Sequence, residues 1–126
     1  MTERKIICSE NAPSPIGPYS QAVMVGDTLY CSGQVPLDPA GENIIGSTVE
    51  EQTEQVIKNI AAVLSEAGMG FENVVKATCF LQSMDDFSAF NGIYGKYFAS
   101  KPARSCVEVS RLPRDVLVEI EVIAVV

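Results

Sequence analysis

The chain contains no histidine. That absence excludes Ser-His-Asp and Cys-His nucleophilic arrangements and the usual histidine-containing zinc sites. The four cysteines, Cys8, Cys31, Cys79 and Cys106, form no CxxC motif and none lies close to another. They are expected to be reduced, three of them sitting in apolar strand-like runs where a free cysteine acts as a small hydrophobe. There is no run of about 18 apolar residues, so no membrane span is expected. The N-terminal stretch MTERKIICSE has neither a signal-peptide apolar region nor an Arg-rich amphipathic pattern, and a cytoplasmic protein is expected. Basic residues are few and scattered: nine Lys and Arg against sixteen Asp and Glu give a net charge of −7 and a pI near 4.5. A nucleic-acid partner is therefore not expected, because phosphate contacts need clustered Lys and Arg. The densest basic group, Lys101, Arg104, Arg111 and Arg114, is too small for such a stripe but suffices for a local positive site. Chemistry here must come from Arg, Glu, Tyr, Cys, Ser, Asn, backbone groups and water.

What is present is an ordinary globular composition, 47% hydrophobic and 20% charged over 126 residues. This reads as one domain, 1–126, with enough core to fold without disulfides or metal. Residues 4–8 form a short strand candidate, and residues 11–20, with three prolines and a glycine, form a stiff loop. That loop delivers Tyr19, which either packs at a rim or presents its hydroxyl to a site. Residues 21–25 and 28–32 are two strand runs joined by Gly26-Asp27, a hairpin of the type that needs φ > 0 at its first turn position. At the second strand's exit, Ser32 and Gly33 either bring a hydroxyl and a backbone N–H close to a ligand or mark a bulge. Thr48 and Glu51 make a capping box. Val56, Ile57, Ile60, Val63, Leu64 and Ala67 then follow at helical spacing up to Gly68, giving a helix over 48–67.

Residues 74–82 alternate as a strand, with Val75, Ala77, Cys79 and Leu81 on one side. Ser83, with Asp86 three residues on, caps a second helix whose stripe is Phe87, Phe90, Ile93, Tyr94, Tyr97 and Phe98. A stripe of this kind reads as core. Asn91 stands beside it, either a polar residue at the stripe's edge or a buried amide whose partner a substrate could supply. The segment 101–109 reads as a loop entering a strand. Alternation puts Arg104, Cys106 and Glu108 on one face and Ser105, Val107 and Val109 on the other, which looks like core. Arg104 either makes an ordinary surface ion pair or holds a small carboxylate in its fork of donors. The last run, 116–126, is nearly all apolar and is expected to be a central strand buried on both faces. Glu119 and Glu121 interrupt it. A carboxylate there is costly unless paired, and burial would tune it toward acid–base work, unless Glu119 is half exposed near a sheet edge.

The element order is β, ββ, α, β, α, ββ. An α+β fold is expected, with an antiparallel or mixed sheet and both helices on one face. The other face then needs cover, and self-association supplies it.

Four motifs carry a resemblance: Gly17-Pro18-Tyr19-Ser20-Gln21-Ala22, Ser32-Gly33-Gln34-Val35-Pro36, Pro102-Ala103-Arg104-Ser105-Cys106-Val107 and Val118-Glu119-Ile120-Glu121. In this order and at these separations, nearly end to end, the chain resembles the reactive intermediate deaminase family (RidA/YjgF). The resemblance implies a chorismate-mutase-like mixed β-sheet and a homotrimer with a central β-barrel, helices outside and pockets between subunits. It implies hydrolysis of 2-imino or enamine acids, such as 2-iminopropanoate and 2-iminobutanoate, to 2-keto acids and ammonia, protecting pyridoxal-phosphate enzymes, with no cofactor and no metal. By the same resemblance Arg104 clamps the substrate carboxylate and Glu119 positions or activates water. The Cys106 backbone lies beside the imine, and Tyr19, Ser32, Gly33 and Asn91 line the pocket. Cys8 stands where many members have threonine. The alternative is a non-catalytic protein on the same scaffold that binds small 2-keto acids, needing Arg104 but not Glu119. Cys106 as a nucleophile is disfavoured, because no histidine and no cation beyond Arg104 would hold its thiolate.

Overall fold

The computed structural model describes residues 3–126. Its strands are β1 (Arg4–Ile7), β2 (Ala22–Val25), β3 (Thr28–Cys31), β4 (Val74–Leu81), β5 (Ala103–Glu108) and β6 (Val118–Val125), and its helices are α1 (Val49–Glu66) and α2 (Phe87–Tyr97). They form one mixed sheet in the order β1-β2-β3-β6-β4-β5. All neighbours are antiparallel except β4 and β5. A parallel pair needs a crossover, and α2 is that crossover. The two helices pack on each other and α1 packs on β6, so the core lies on one side of the sheet. No helix among the described residues is long and apolar enough to cross a membrane.

The local signals explain the elements. Gly26 has φ 60° at the first turn position of the β2–β3 hairpin, as its sequence requires. Thr48 accepts from the Glu51 N–H while the Glu51 carboxylate accepts from the Thr48 N–H, so the capping box starts α1. Gly68, with φ 74°, turns the chain out of it. The buried stripe of α1 also carries three polar side chains, Gln52, Thr53 and Asn59. Asn59 Nδ2 donates to the carbonyls of Val35 (3.1 Å) and Leu37 (3.0 Å). Gln52 accepts from the Leu117 N–H at 2.8 Å and donates to the Gly46 carbonyl at 3.2 Å. These bonds tie α1 to the β3 exit and to the start of β6, which flank Glu119.

Four details differ from the expectation. Arg104 and Cys106 pair in register with buried Ala77 and Cys79, so they lie on the helix side, whereas Ser105 and Val107 are exposed on the open side. Alternation gives two faces but not which is inward, and β5 is an edge strand whose apolar positions need not be core. A register shift between Val74 and Lys76 buries Val74 and turns Val75 outward, 48% exposed. Ser83 caps a single 3₁₀ turn, Met84–Asp86, before α2 begins. Finally, β6 is central but covered on one face only: Val118, Ile120, Val122 and Ala124 are buried, while Glu119, Ile123 and Val125 are half-buried and Glu121 is exposed.

The proline-rich loop is fastened by one buried side chain. Gln21 Oε1 accepts from the Ser9 N–H at 2.6 Å, and Nε2 donates to the carbonyls of Ser9 (3.1 Å), Ala12 (3.3 Å) and Pro13 (2.9 Å). Gln21→Leu would leave a buried N–H and its companion carbonyls unpaired, at about 1–3 kcal/mol for each group that water cannot reach. We expect at least about 2 kcal/mol of destabilisation, read as a lower urea midpoint with unchanged m-value.

Candidate functional site

Arg104 is the second residue of β5 and reaches toward α2. Lys101 adopts φ 58° just before it, which turns the chain from the end of α2 into the strand. Arg104 Nη1 donates to Asn91 Oδ1 at 2.6 Å. The guanidinium carbon lies 4.7 Å from the Tyr94 ring centroid and 5.6 Å from that of Phe87. The sole ion pair among the described residues, Arg111–Asp115 at 2.7 Å, does not involve it. Arg104, Asn91, Tyr94, Gly95, Ala99 and Lys101 border an open cleft of about 490 Å³. A half-buried guanidinium with free donors, no carboxylate partner and a second cation nearby can bind an anion.

Cys106 follows on the same face, half-buried. Burial pushes its thiol upward, and the Arg104 charge opposes this only in part. Neighbouring Cys79 is pushed up to about 12, chiefly by burial. Both therefore stay protonated at neutral pH, against a nucleophilic role.

The remaining site residues lie elsewhere. Glu119 is on the open face, in a row with Phe80 and Val107 across β6, β4 and β5. Burial first, and Glu121 second, hold its carboxyl above the usual range. Gln34 exchanges both backbone bonds with Ile120, at 2.8 and 3.2 Å, which pins Gly33 beside Glu119. A Cβ on Gly33 would run into the Glu119 carboxylate, so only glycine leaves that group its present place. Ser32 donates its hydroxyl to the Ser20 carbonyl at 2.6 Å, next to Tyr19, which is 53% exposed.

The structure thus brings Arg104, Asn91 and Cys106 together on the helix side, and Gly33 and Glu119 together on the other, with Ser32 and Tyr19 on the adjoining segments. In a single chain the first set does not meet the second. Phe87 and Tyr94 read as core in the sequence, yet both touch Arg104. The signal was their spacing around Asn91, four residues before and three after, which is one side of a helix. Among the described residues no three His, Cys, Asp or Glu side chains gather as metal ligands.

A family model described as Endoribonuclease L-PSP matches residues 9–126. A RutC family protein of Saccharolobus solfataricus is 57% identical over 122 residues, covering 96% of this chain and 97% of that protein. The 2-iminobutanoate/2-iminopropanoate deaminase of Mus musculus is 50% identical over 123 residues, covering 97% of this chain and 91% of that protein. The crystal structure of the YjgF gene product of E. coli superposes with a TM-score of 0.90 at 43% identity, covering 96% and 98% of the two chains.

The Glu119 environment makes a testable statement about pH. Its folded carboxyl titrates above its unfolded one, so folding favours the protonated form. Stability is then lost as pH rises from about 4.3, the unfolded value, through the folded value. Glu119→Gln should match the wild type in stability below about pH 4 and exceed it increasingly toward neutral pH, as measured by urea denaturation across that range. A constant difference at all pH values would contradict this.

Proposed function

Because this chain belongs to the Endoribonuclease L-PSP family, the RidA/YjgF family, we propose that it hydrolyses small 2-imino acids to 2-keto acids and ammonia. The observation that carries this reading is the Arg104 guanidinium, fixed beside Asn91 with no carboxylate of its own. The deaminase name of the mouse relative supports the same chemistry. A 2-imino acid is a small planar carboxylate next to an electrophilic carbon. Arg104 holds the carboxylate in two parallel N–H···O bonds, and Asn91 and the Cys106 backbone border the reacting carbon. Water adds to C2, the imine nitrogen takes up a proton, and the carbinolamine collapses to the ketone with release of ammonia. Glu119 takes the water's proton and passes it on to the departing nitrogen, and burial, which raises its pKa above the ordinary carboxylate value, makes it a stronger base than a solvated glutamate. Orientation by Arg104 contributes much of the rate, since the protonated imine is already reactive. The substrates in this reading are 2-iminopropanoate and 2-iminobutanoate, and hydrolysis spares pyridoxal-phosphate enzymes from them. No cofactor is required for any step.

The placement of Arg104 and Glu119 on opposite faces of one sheet supports a site shared between subunits. In this reading the chain is a homotrimer. The open faces, which carry Ile6, Tyr30 and Val107 at 59%, 51% and 45% exposure, pack into a central barrel. Each pocket then combines Arg104, Asn91 and Cys106 of one copy with Tyr19, Ser32, Gly33 and Glu119 of the next. The same division gives the second reading its footing: a protein that only binds 2-keto acids needs the Arg104 cluster and not Glu119. An RNA-cleaving role, which the family description would suggest, finds no support in a net charge of −7 and a chain without histidine.

The decisive assay generates 2-iminobutanoate in place with a threonine dehydratase and traps it with semicarbazide. Wild-type protein should lower semicarbazone formation. Arg104→Ala should lose about 10- to 150-fold in kcat/KM, the equivalent of ~1.5–3 kcal/mol for a charge-assisted contact. Glu119→Ala should retain 2-keto acid binding and lose turnover, and full turnover in that variant would favour the binding-only reading. Gly33→Ala should fold and lose activity by displacing the Glu119 carboxylate. Light scattering should give about three times the 13.6 kDa chain mass, and a monomer would end the shared-pocket reading.

A further inference from the structure

Tyr94 is 7% exposed, yet its hydroxyl has no hydrogen-bond partner among the described residues. Buried tyrosine hydroxyls are normally paired, and no described residue of this chain pairs with this one, so within the chain it makes no hydrogen bond that phenylalanine would lose. Its ring is differently placed. It stacks on Phe98 with centroids 4.4 Å apart and planes at 18°, and it lies 5.6 Å from Phe90. That packing fixes the ring, and the Arg104 guanidinium sits 4.7 Å from its centroid.

An arginine poised for an anion poses a problem. A flexible guanidinium loses conformational freedom on binding, and a carboxylate that fixed it beforehand would compete with the ligand. A ring face solves both difficulties, since its quadrupole attracts the cation without bringing a formal charge. The Asn91 amide oxygen does the same from the next turn of α2, and Phe87 adds a second ring at 5.6 Å. Phe87, Asn91 and Tyr94 are spaced by four and three residues, so one side of one helix presents all three to one guanidinium.

We propose that Tyr94 is a positioning residue whose ring face holds the Arg104 guanidinium, charge intact, where the carboxylate of a small 2-oxo or 2-imino acid docks. The role belongs to the ring and not to the hydroxyl. The kinetic part of this inference rests on the deaminase reading, whereas the binding and spectroscopic parts do not.

The test compares Tyr94→Phe and Tyr94→Leu in the full chain. Three quantities are measured: affinity for 2-ketobutyrate by titration, KM and kcat for 2-iminobutanoate, and the ¹⁵N–¹H resonance of Arg104 Nε, which a ring face shifts upfield. Tyr94→Phe should retain affinity, KM and the upfield resonance within about twofold, with equal or higher thermal stability. Tyr94→Leu should weaken 2-ketobutyrate binding and raise KM by about 2- to 30-fold, leave kcat nearly unchanged, and lose the upfield shift. A folded Tyr94→Leu protein with wild-type affinity and resonance overturns the inference, as does a Tyr94→Phe protein that loses as much as Tyr94→Leu. A fall in melting temperature alone marks a merely structural role and also overturns it. If Tyr94→Leu does not fold, half-buried Phe87→Leu and the wild-type resonance decide. An Arg104 signal without a ring-current shift then refutes the proposal. A wild type that binds 2-ketobutyrate but hydrolyses no imine ends the deaminase reading, while the effect of Tyr94 on binding still decides this one.

Discussion

The packing of the Arg104 guanidinium against neutral partners is the constraint on which the candidate site turns. In a protein of net charge −7, with sixteen acidic side chains, Arg104 bonds to an amide and lies against aromatic rings. Any carboxylate within reach would have quenched it. The edge position of β5 leaves the guanidinium at the border of a cleft, the parallel pairing with β4 turns it toward α2, and the crossover helix supplies its neutral neighbours. The other cation at the cleft's border among the described residues is Lys101, whose left-handed backbone directs the chain into the strand. Sheet topology, helix phase and a local turn thus converge on one side chain, which in the proposed function takes its anion from outside the chain.

The carboxylate on the open face mirrors this arrangement. Glu119 sits on a central strand where partial burial resists its ionisation, and Gly33 leaves it room that any other residue would fill. The half-buried Glu119 carboxyl and the Arg104 guanidinium lie on opposite faces, and one sheet keeps them apart. In the proposed assembly a second copy of the chain reunites them. The exposed Ile6, Tyr30 and Val107 give the same face a reason to be covered. On this reading catalysis and assembly are one constraint, since neither face is complete alone.

Much of this was legible in the residues because it was encoded locally. The Thr48–Glu51 box, Gly68 and the Gly26 turn each announce a backbone conformation that only a few residue types favour, and each appears as read. For Arg104 the sequence left two readings, a surface ion pair or an anion site; the fold shows it bonded to Asn91 and in no ion pair among the described residues. What stayed hidden depends on partners distant in sequence. The inward face of β5 is set by its register with Ala77 and Cys79, so alternation within 101–109 could not choose between the two faces. The bulge that turns Val75 outward arises from the pairing of β4 with β6. Tyr94 reads as core because it is core; that the same ring also borders a guanidinium is visible only once β5 lies beside α2. The separation of Arg104 from Glu119 is likewise a property of sheet sidedness, which no spacing reveals.

The buried amide of Gln21 has a dynamic consequence. Its bonds to Ser9, Ala12 and Pro13 all come from one side chain, so they are made or broken together. The loop ahead of β2 is already stiffened by its prolines and has little freedom to open piecemeal. Seated this way, the loop places the Ser20 carbonyl where the Ser32 hydroxyl donates to it, beside Tyr19. Local unfolding of this kind is cooperative, and amide exchange along residues 9–21 should follow a single opening event rather than a gradient.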